Sequence, residues 1–110
     1  MFDSVRTIDD LTGKQYMALV ARLSCIICRK RGYPDSPAEV HHVRKNGGLR
    51  ENVDKWTIPL CPYHHRIGPD AVHNARRLVE RLHGISEEAM AEETRRDVEE
   101  MLNGRDQRNA

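Results

Sequence analysis

Four residues place the first constraint on this chain: Cys25 and Cys28 in CIIC, and Cys61 and His64 in CPYH. Each pair has two intervening residues, a spacing at which a tight turn aims two side chains at one ion. Together they make a complete tetrahedral Cys3His set. They use every cysteine in the chain, and three cysteines cannot all pair within it. CIIC alone is also the pattern of a redox pair. Such a pair opens a helix in a strand–helix–strand unit, and no such pattern surrounds it. The spacing therefore points to a structural zinc.

A staple is also what the composition asks for. The chain has 110 residues, 38% of them hydrophobic and 32% charged, with one Phe and one Trp. A domain this small and polar rarely supports itself on apolar burial alone. MFDSVRTIDD contains no apolar leader segment, and no run approaches the length of a membrane span. The expected setting is a reducing cytoplasm with no membrane partner, where clustered cysteines bind metal more often than each other. The net charge of +1 conceals an asymmetry. Residues 1–83 hold fourteen Lys/Arg against nine Asp/Glu, and residues 84–110 hold four against eight. The ligand-rich part is the basic part, which suits a polyanionic partner.

Local patterns order the elements around the ligands. TGKQYMALVARLS reads as an amphipathic helix, capped by Thr12 with Gln15 in the capping-box position. Met17, Val20 and Leu23, widened by Ala18 and Leu19, form its expected apolar stripe. CIIC follows as a knuckle, then a basic loop. AEVHHV and KWTIPL read as short strands around a turn-rich Asn46-Gly47-Gly48 stretch, hence a β-hairpin. Gly68-Pro69 interrupts any helix begun at Pro62, and a second helix starts at Pro69-Asp70 and stops at His83-Gly84. Ser86 caps a last acidic helix whose apolar positions, Met90, Val98, Met101 and Leu102, are sparse enough to predict light docking.

The histidines come in doublets. His41-His42 lies on the first strand, where neighbours face opposite ways. His65 directly follows zinc ligand His64 and so points away from the zinc. In CIIC, VHHV, IPLC and CPYHH the chain resembles the HNH, or ββα-metal, endonuclease superfamily over about residues 25–83. It is most similar to the phage-associated group with a PLC-x-x-HH signature. The resemblance implies an α+β fold, a zinc-stapled ββα-metal core (β-hairpin plus helix) flanked by N- and C-terminal helices. One nuclease domain would span 1–110, with the N-terminal helix at 1–24, the core at 25–83 and the acidic helix at 84–110.

The same resemblance implies roles. His41 matches a ligand of the catalytic ion, His42 the general base, and His65 a second ligand of that ion. Cys25, Cys28, Cys61 and His64 match the structural zinc ligands. The family's central Asn lies nine residues before the final His, where this chain has Trp56. Asn52 is the expected orienting residue, with Asp54 or a backbone carbonyl as alternatives. His73, eight residues past His65, is the expected third ligand. His83 suits the dipole at a helix C-terminus and falls outside the site.

The expected activity is metal-assisted phosphodiester hydrolysis on double-stranded DNA, and the resemblance implies products with 5′-phosphate and 3′-hydroxyl ends. An imidazole-rich site suits Mn²⁺, Ni²⁺, Co²⁺ or Zn²⁺ by affinity, and Mg²⁺ is a further candidate. Arg29, Lys30, Arg31, Arg44, Lys45, Arg50 and Lys55, flanking the knuckle and the hairpin loop, are the expected substrate contacts, joined by Arg66, Arg76 and Arg77 near the ligand-bearing helix. Phosphate contacts position without specifying sequence, so the expectation is nicking of low specificity by a monomer or weak dimer. A non-catalytic zinc module that binds DNA or protein is the alternative, but it leaves His41, His42 and His65 idle. A small redox or metal-handling protein fits less well, because the surround is basic and no strand–helix–strand unit is present.

Overall fold

The structure is a computed structural model that describes residues 7–33, 35–43, 52–68, 71, 72, 80 and 84–109. It opens with a 3-10 turn at Ile8–Asp10, followed by α1 (Gly13–Val20) and the knuckle helix α2 (Ile26–Lys30). Strands β1 (Glu39–His42) and β2 (Thr57–Leu60) flank a second 3-10 turn at Val53–Lys55. A π-helical turn, Tyr63–Ile67, follows β2, and the chain ends in the long helix α3 (Glu87–Asn109). The result is α+β: one two-stranded antiparallel hairpin with helices packed around it. No helix among the described residues is long and apolar enough to cross a membrane.

The local signals act as their chemistry predicts. Thr12 Oγ1 accepts from Gln15 N at 3.1 Å while Gln15 Oε1 accepts from Thr12 N at 2.9 Å, closing the capping box at α1. Ser86 Oγ accepts from Ala89 N at 3.0 Å at the start of α3. Gly84 has φ +69°, and its N–H donates to Glu80 O at 2.9 Å. That left-handed backbone closes a helical turn at no side-chain cost. The π turn begins at Pro62 and ends where Gly68 N donates to Tyr63 O at 2.8 Å. The break expected at Gly68 is there. The second helix expected from Pro69-Asp70 lies almost entirely outside the described residues, of which Ala71 and Val72 are buried.

β1 and β2 pair in register, with Val40 opposite Pro59 and His41 opposite Ile58. Pro59 is tolerated because a two-stranded sheet leaves β2 an edge where a missing N–H breaks no ladder bond. All four β2 residues are buried, so the weak alternation read in KWTIPL gives way to burial on both faces. Helices α1, α2 and α3 all pack against this strand. One apolar cluster joins Ile26, Ile27, Ile58, Leu60, Met90 and Ala91 to the three cysteines. A second joins Ile8, Leu11, Tyr16 and Val20 to Val98.

Three expectations change. In α1 the fully buried positions are Tyr16 and Val20, while Met17, Leu19 and Leu23 are half-buried and Ala18 is exposed. The stripe rotates because α1 must face both α3 and the 53–55 turn, and Tyr16 fills the space between. Helix α3 does not dock lightly. Met90, Ala91, Thr94, Val98 and Met101 are buried, a stripe in which Ala and Thr count because the helix approaches closely. Thr94 satisfies its hydroxyl by donating to Met90 O at 2.8 Å. Basic partners add to this: Arg29 pairs with Asp97 at 3.3 Å and Lys30 with Glu93 at 2.9 Å. Arg95 lies 4.4 Å from the Trp56 ring centroid and donates to Lys55 O at 2.8 Å. Arg29 and Lys30, read as substrate contacts, instead hold α3 to the knuckle.

A firmly docked α3 predicts that Met90→Ala destabilises the protein by about 2–5 kcal/mol in urea denaturation. A loss below about 0.5 kcal/mol, the size of a surface change, would restore the lightly docked helix.

Candidate functional site

The knuckle and the end of β2 bring together Cys25, Cys28, Cys61 and His64, all buried, with ligand atoms within 4.8 Å of one another. Cys28 Sγ is 3.7 Å from Cys61 Sγ, and His64 Nδ1 is 3.6, 3.5 and 3.3 Å from the sulfurs of Cys25, Cys28 and Cys61. A zinc with bonds of about 2.3 Å to sulfur needs tetrahedral edges of about 3.8 Å, so the cluster could hold one with little movement. Cys28 N donates to Cys25 Sγ at 3.4 Å, the polar contact that shapes the knuckle. Burial pushes the Cys25 thiol up to about 12. A thiolate forms there only with a cation to compensate it, and the donor set is the one zinc prefers. Cys61→Ser should therefore lose the zinc and, with it, binding energy coupled to folding on the order of 10 kcal/mol. Metal analysis of the purified variant with circular dichroism tests this; a zinc-bound, folded Cys61→Ser protein would overturn the assignment.

Among the described residues, the histidines outside the cluster, His41, His42 and His65, lie on or beside the hairpin, each against a carboxylate. An ionised carboxylate only accepts, so each contact also identifies the ring nitrogen that carries the proton. His41 Nε2 donates to Glu87 Oε1 at 3.0 Å. His65 Nδ1 donates to Glu39 Oε1 at 2.8 Å. His42 Nε2 donates to Asp54 Oδ1 at 2.9 Å. The strand alternation expected of the doublet is present: His41 is largely covered, with 14% of its side chain exposed, and His42 is open at 44%.

His41 and His65 stand edge to face, with ring centroids 5.1 Å apart. His65 reaches this position because the π turn points it away from His64. These two imidazoles are close enough to share an ion. Among the described residues the Cys3His cluster is the only group of three or more donors that converges. His73, the expected third ligand, lies outside the described residues, as do His83, Arg44, Lys45, Arg50, Arg76 and Arg77.

Asn52 has φ 56° and starts the 53–55 turn, its carbonyl accepting from Lys55 N at 2.8 Å. Asn enters that left-handed region more easily than most residues. The side chain that reaches His42 from this turn is Asp54. Its carboxylate lies so close to Gly13 that a Cβ there would come within 2.6 Å of Asp54 Oδ2. Gly13 is the space α1 leaves for that carboxylate. Beside it opens a cleft of about 420 Å³ lined by Thr12, Gly13, Asn52, Asp54 and Lys55.

Arg66 is tied to Glu39 through both oxygens, with Nε at 3.1 Å and Nη2 at 2.8 Å. The Arg66 guanidinium, with His65 second, holds the Glu39 carboxyl down at about 2. Because the folded value is depressed, this contact contributes stability above the ordinary carboxylate range and loses it as pH falls towards 2. Arg66→Ala should move Glu39 up towards the ordinary range of about 4.3, read by carboxyl carbon shifts in an NMR titration. An unmoved midpoint would assign the depression to another group.

Glu39 and Glu87 escaped the reading of the sequence. Glu39 had a usable signal, since it sits two residues before His41 on one strand and so shares its face. Glu87 had none, because it meets His41 across 46 residues.

Residues 11–107 match a family of nucleases. The family is described as recombination enhancement, RecA-dependent nuclease, and the chain belongs to it. Its substrate class is accordingly nucleic acid. The match takes in α1 and nearly all of α3, which the HNH resemblance leaves out. No curated protein and no solved structure matches the chain.

Proposed function

We propose that the chain is an HNH-type, metal-dependent endonuclease that nicks double-stranded DNA with low sequence specificity. One observation carries this reading: neighbouring imidazoles on β1 take separate carboxylates, His41 beside His65 and His42 alone with Asp54. A structural zinc module has no use for that division. A hydrolase needs it, with one group to activate water and others to meet the charge that develops on phosphate.

His42 is the general base. Its Nε2–H is held by Asp54, so Nδ1 carries the lone pair that takes a proton from water. Asp54, the orienting residue in place of Asn52, stabilises the imidazolium that results, as the carboxylate of a catalytic triad does. Gly13, lacking a side chain, leaves the space that the Asp54 carboxylate occupies. His41 and His65, with His73 as the expected third ligand, would hold a divalent ion, Mn²⁺ or Mg²⁺ first among the candidates. Such an ion would supply charge neutralisation at the phosphate and the leaving oxygen. Lys55, with Arg44, Lys45, Arg50 and Arg76, would grip the backbone. Arg66 would join them only by leaving Glu39.

Supercoiled plasmid incubated with the protein and Mn²⁺ or Mg²⁺ should convert to open circles, and EDTA should stop the conversion. Plasmid left intact with every divalent ion tried would sink the proposal. His42→Ala should keep its structural zinc and its DNA affinity while cleaving about 10²–10⁴-fold more slowly. Near-normal turnover in that variant would move the base elsewhere.

A further inference from the structure

We infer that Glu87, the first residue of α3, is a positioning residue for His41, fixing the tautomer and orientation of that ring from the far end of the chain. The inference rests on the reading of His41 as a ligand of the catalytic ion, and extends the site to a helix that the HNH resemblance does not include.

Burial is the first reason. The Glu87 side chain is 3% exposed, whereas those of Glu39 and Asp54 are 33% and 40% exposed. A carboxylate that far from water is retained only where it is hydrogen-bonded and electrostatically supported. Here the support is local. Glu87 stands in the first turn of a 23-residue helix, where the helix dipole favours an anion. Its own N–H donates to Glu80 Oε2 at 3.1 Å and Ser86 caps the turn, contacts that fix the backbone there rather than stabilise the anion. The carboxylate's placement is then fixed along the rest of α3 by buried Met90, Ala91, Thr94 and Val98 and by the pairs Arg29–Asp97 and Lys30–Glu93. A side chain held this firmly imposes its geometry on its partner.

What it imposes follows from the bond. Glu87 Oε1 accepts from His41 Nε2–H at 3.0 Å, so Nδ1 becomes the lone-pair nitrogen of that ring. A carboxylate on the far nitrogen of a ligating histidine sets the ring's angle and raises its basicity. His65 has the same arrangement with the opposite nitrogens, its Nδ1–H on Glu39. Each of the two facing imidazoles thus has its tautomer set by its own carboxylate, Glu39 from β1 and Glu87 from α3. The family match continuing to residue 107 is consistent with α3 belonging to the working site.

The test begins with the wild-type protein free of divalent ions other than its structural zinc. Long-range nitrogen–proton NMR should show His41 as the Nε2–H tautomer, and an Nδ1–H tautomer would overturn the inference without any variant. Glu87→Gln keeps the shape but removes the charge. It should retain its structural zinc, lose the single His41 tautomer, and bind Mn²⁺ about 10–100-fold more weakly by calorimetry. An unchanged tautomer and unchanged Mn²⁺ affinity in E87Q would assign Glu87 to packing alone. His41→Ala separates the two readings. If it binds Mn²⁺ like wild type while E87Q alters the tautomer, His41 is no ion ligand but Glu87 still positions it. If His41→Ala loses Mn²⁺ and E87Q does not, the positioning role is overturned while the ion site stands.

Discussion

The Cys3His cluster is the constraint on which the rest depends. It joins α2 to the end of β2 across 33 residues, through sulfurs 3.7 Å apart. The hairpin it anchors has only four residues in each strand, too little to be stable alone in water. Around the cluster, Ile26, Ile27, Ile58 and Leu60 bury completely or almost so, forming an apolar shell that the ligands hold together. The same turn that presents His64 to the sulfurs points His65 to the other side. The Cys3His cluster and the histidine site are therefore built from adjacent residues, and loss of the first would remove the second.

Three imidazoles with three carboxylates form the second level of organisation. The contacts differ in exposure. Glu87 and His41 are sheltered, Glu39 is engaged by both His65 and Arg66, and the His42–Asp54 pair lies open where water can reach it. Part of the acidic character of the C-terminal segment is turned towards the rest of the molecule. Asp97 and Glu93 meet the knuckle's Arg29 and Lys30, and Glu87 meets His41. Charge that in the sequence separates into a basic part and an acidic part is brought together by folding.

Much of this was legible because it is local. Ligand spacing in CIIC and CPYH, the Thr12–Gln15 and Ser86 caps, the Gly68 break and the opposed faces of His41 and His42 each involve residues within a turn or two. Short-range geometry follows from residue type and spacing, and the α+β, zinc-stapled hairpin could be assembled from it. The central Asn of the HNH pattern was the weakest step. Asn52 and Asp54 stand two residues apart, and which of them reaches His42 depends on the shape of the 53–55 turn and on the space left by Gly13.

By itself the sequence determined which atoms were available and how nearby ones must point: a tetrahedral donor set, a histidine doublet split across a strand, and capped helices at either end. Only the tertiary structure decided the partners. That Tyr16 rather than Met17 fills α1's buried face, that Arg29 and Lys30 hold α3, and that Glu87 reaches His41 are all contacts between distant segments. No period or spacing encodes them, because they arise when α3 is laid across β2 and α1 and its small Ala91 and Thr94 allow a close approach. A carboxylate is a solvated charge or an active-site partner according to what packing places against it, and that is settled by the fold.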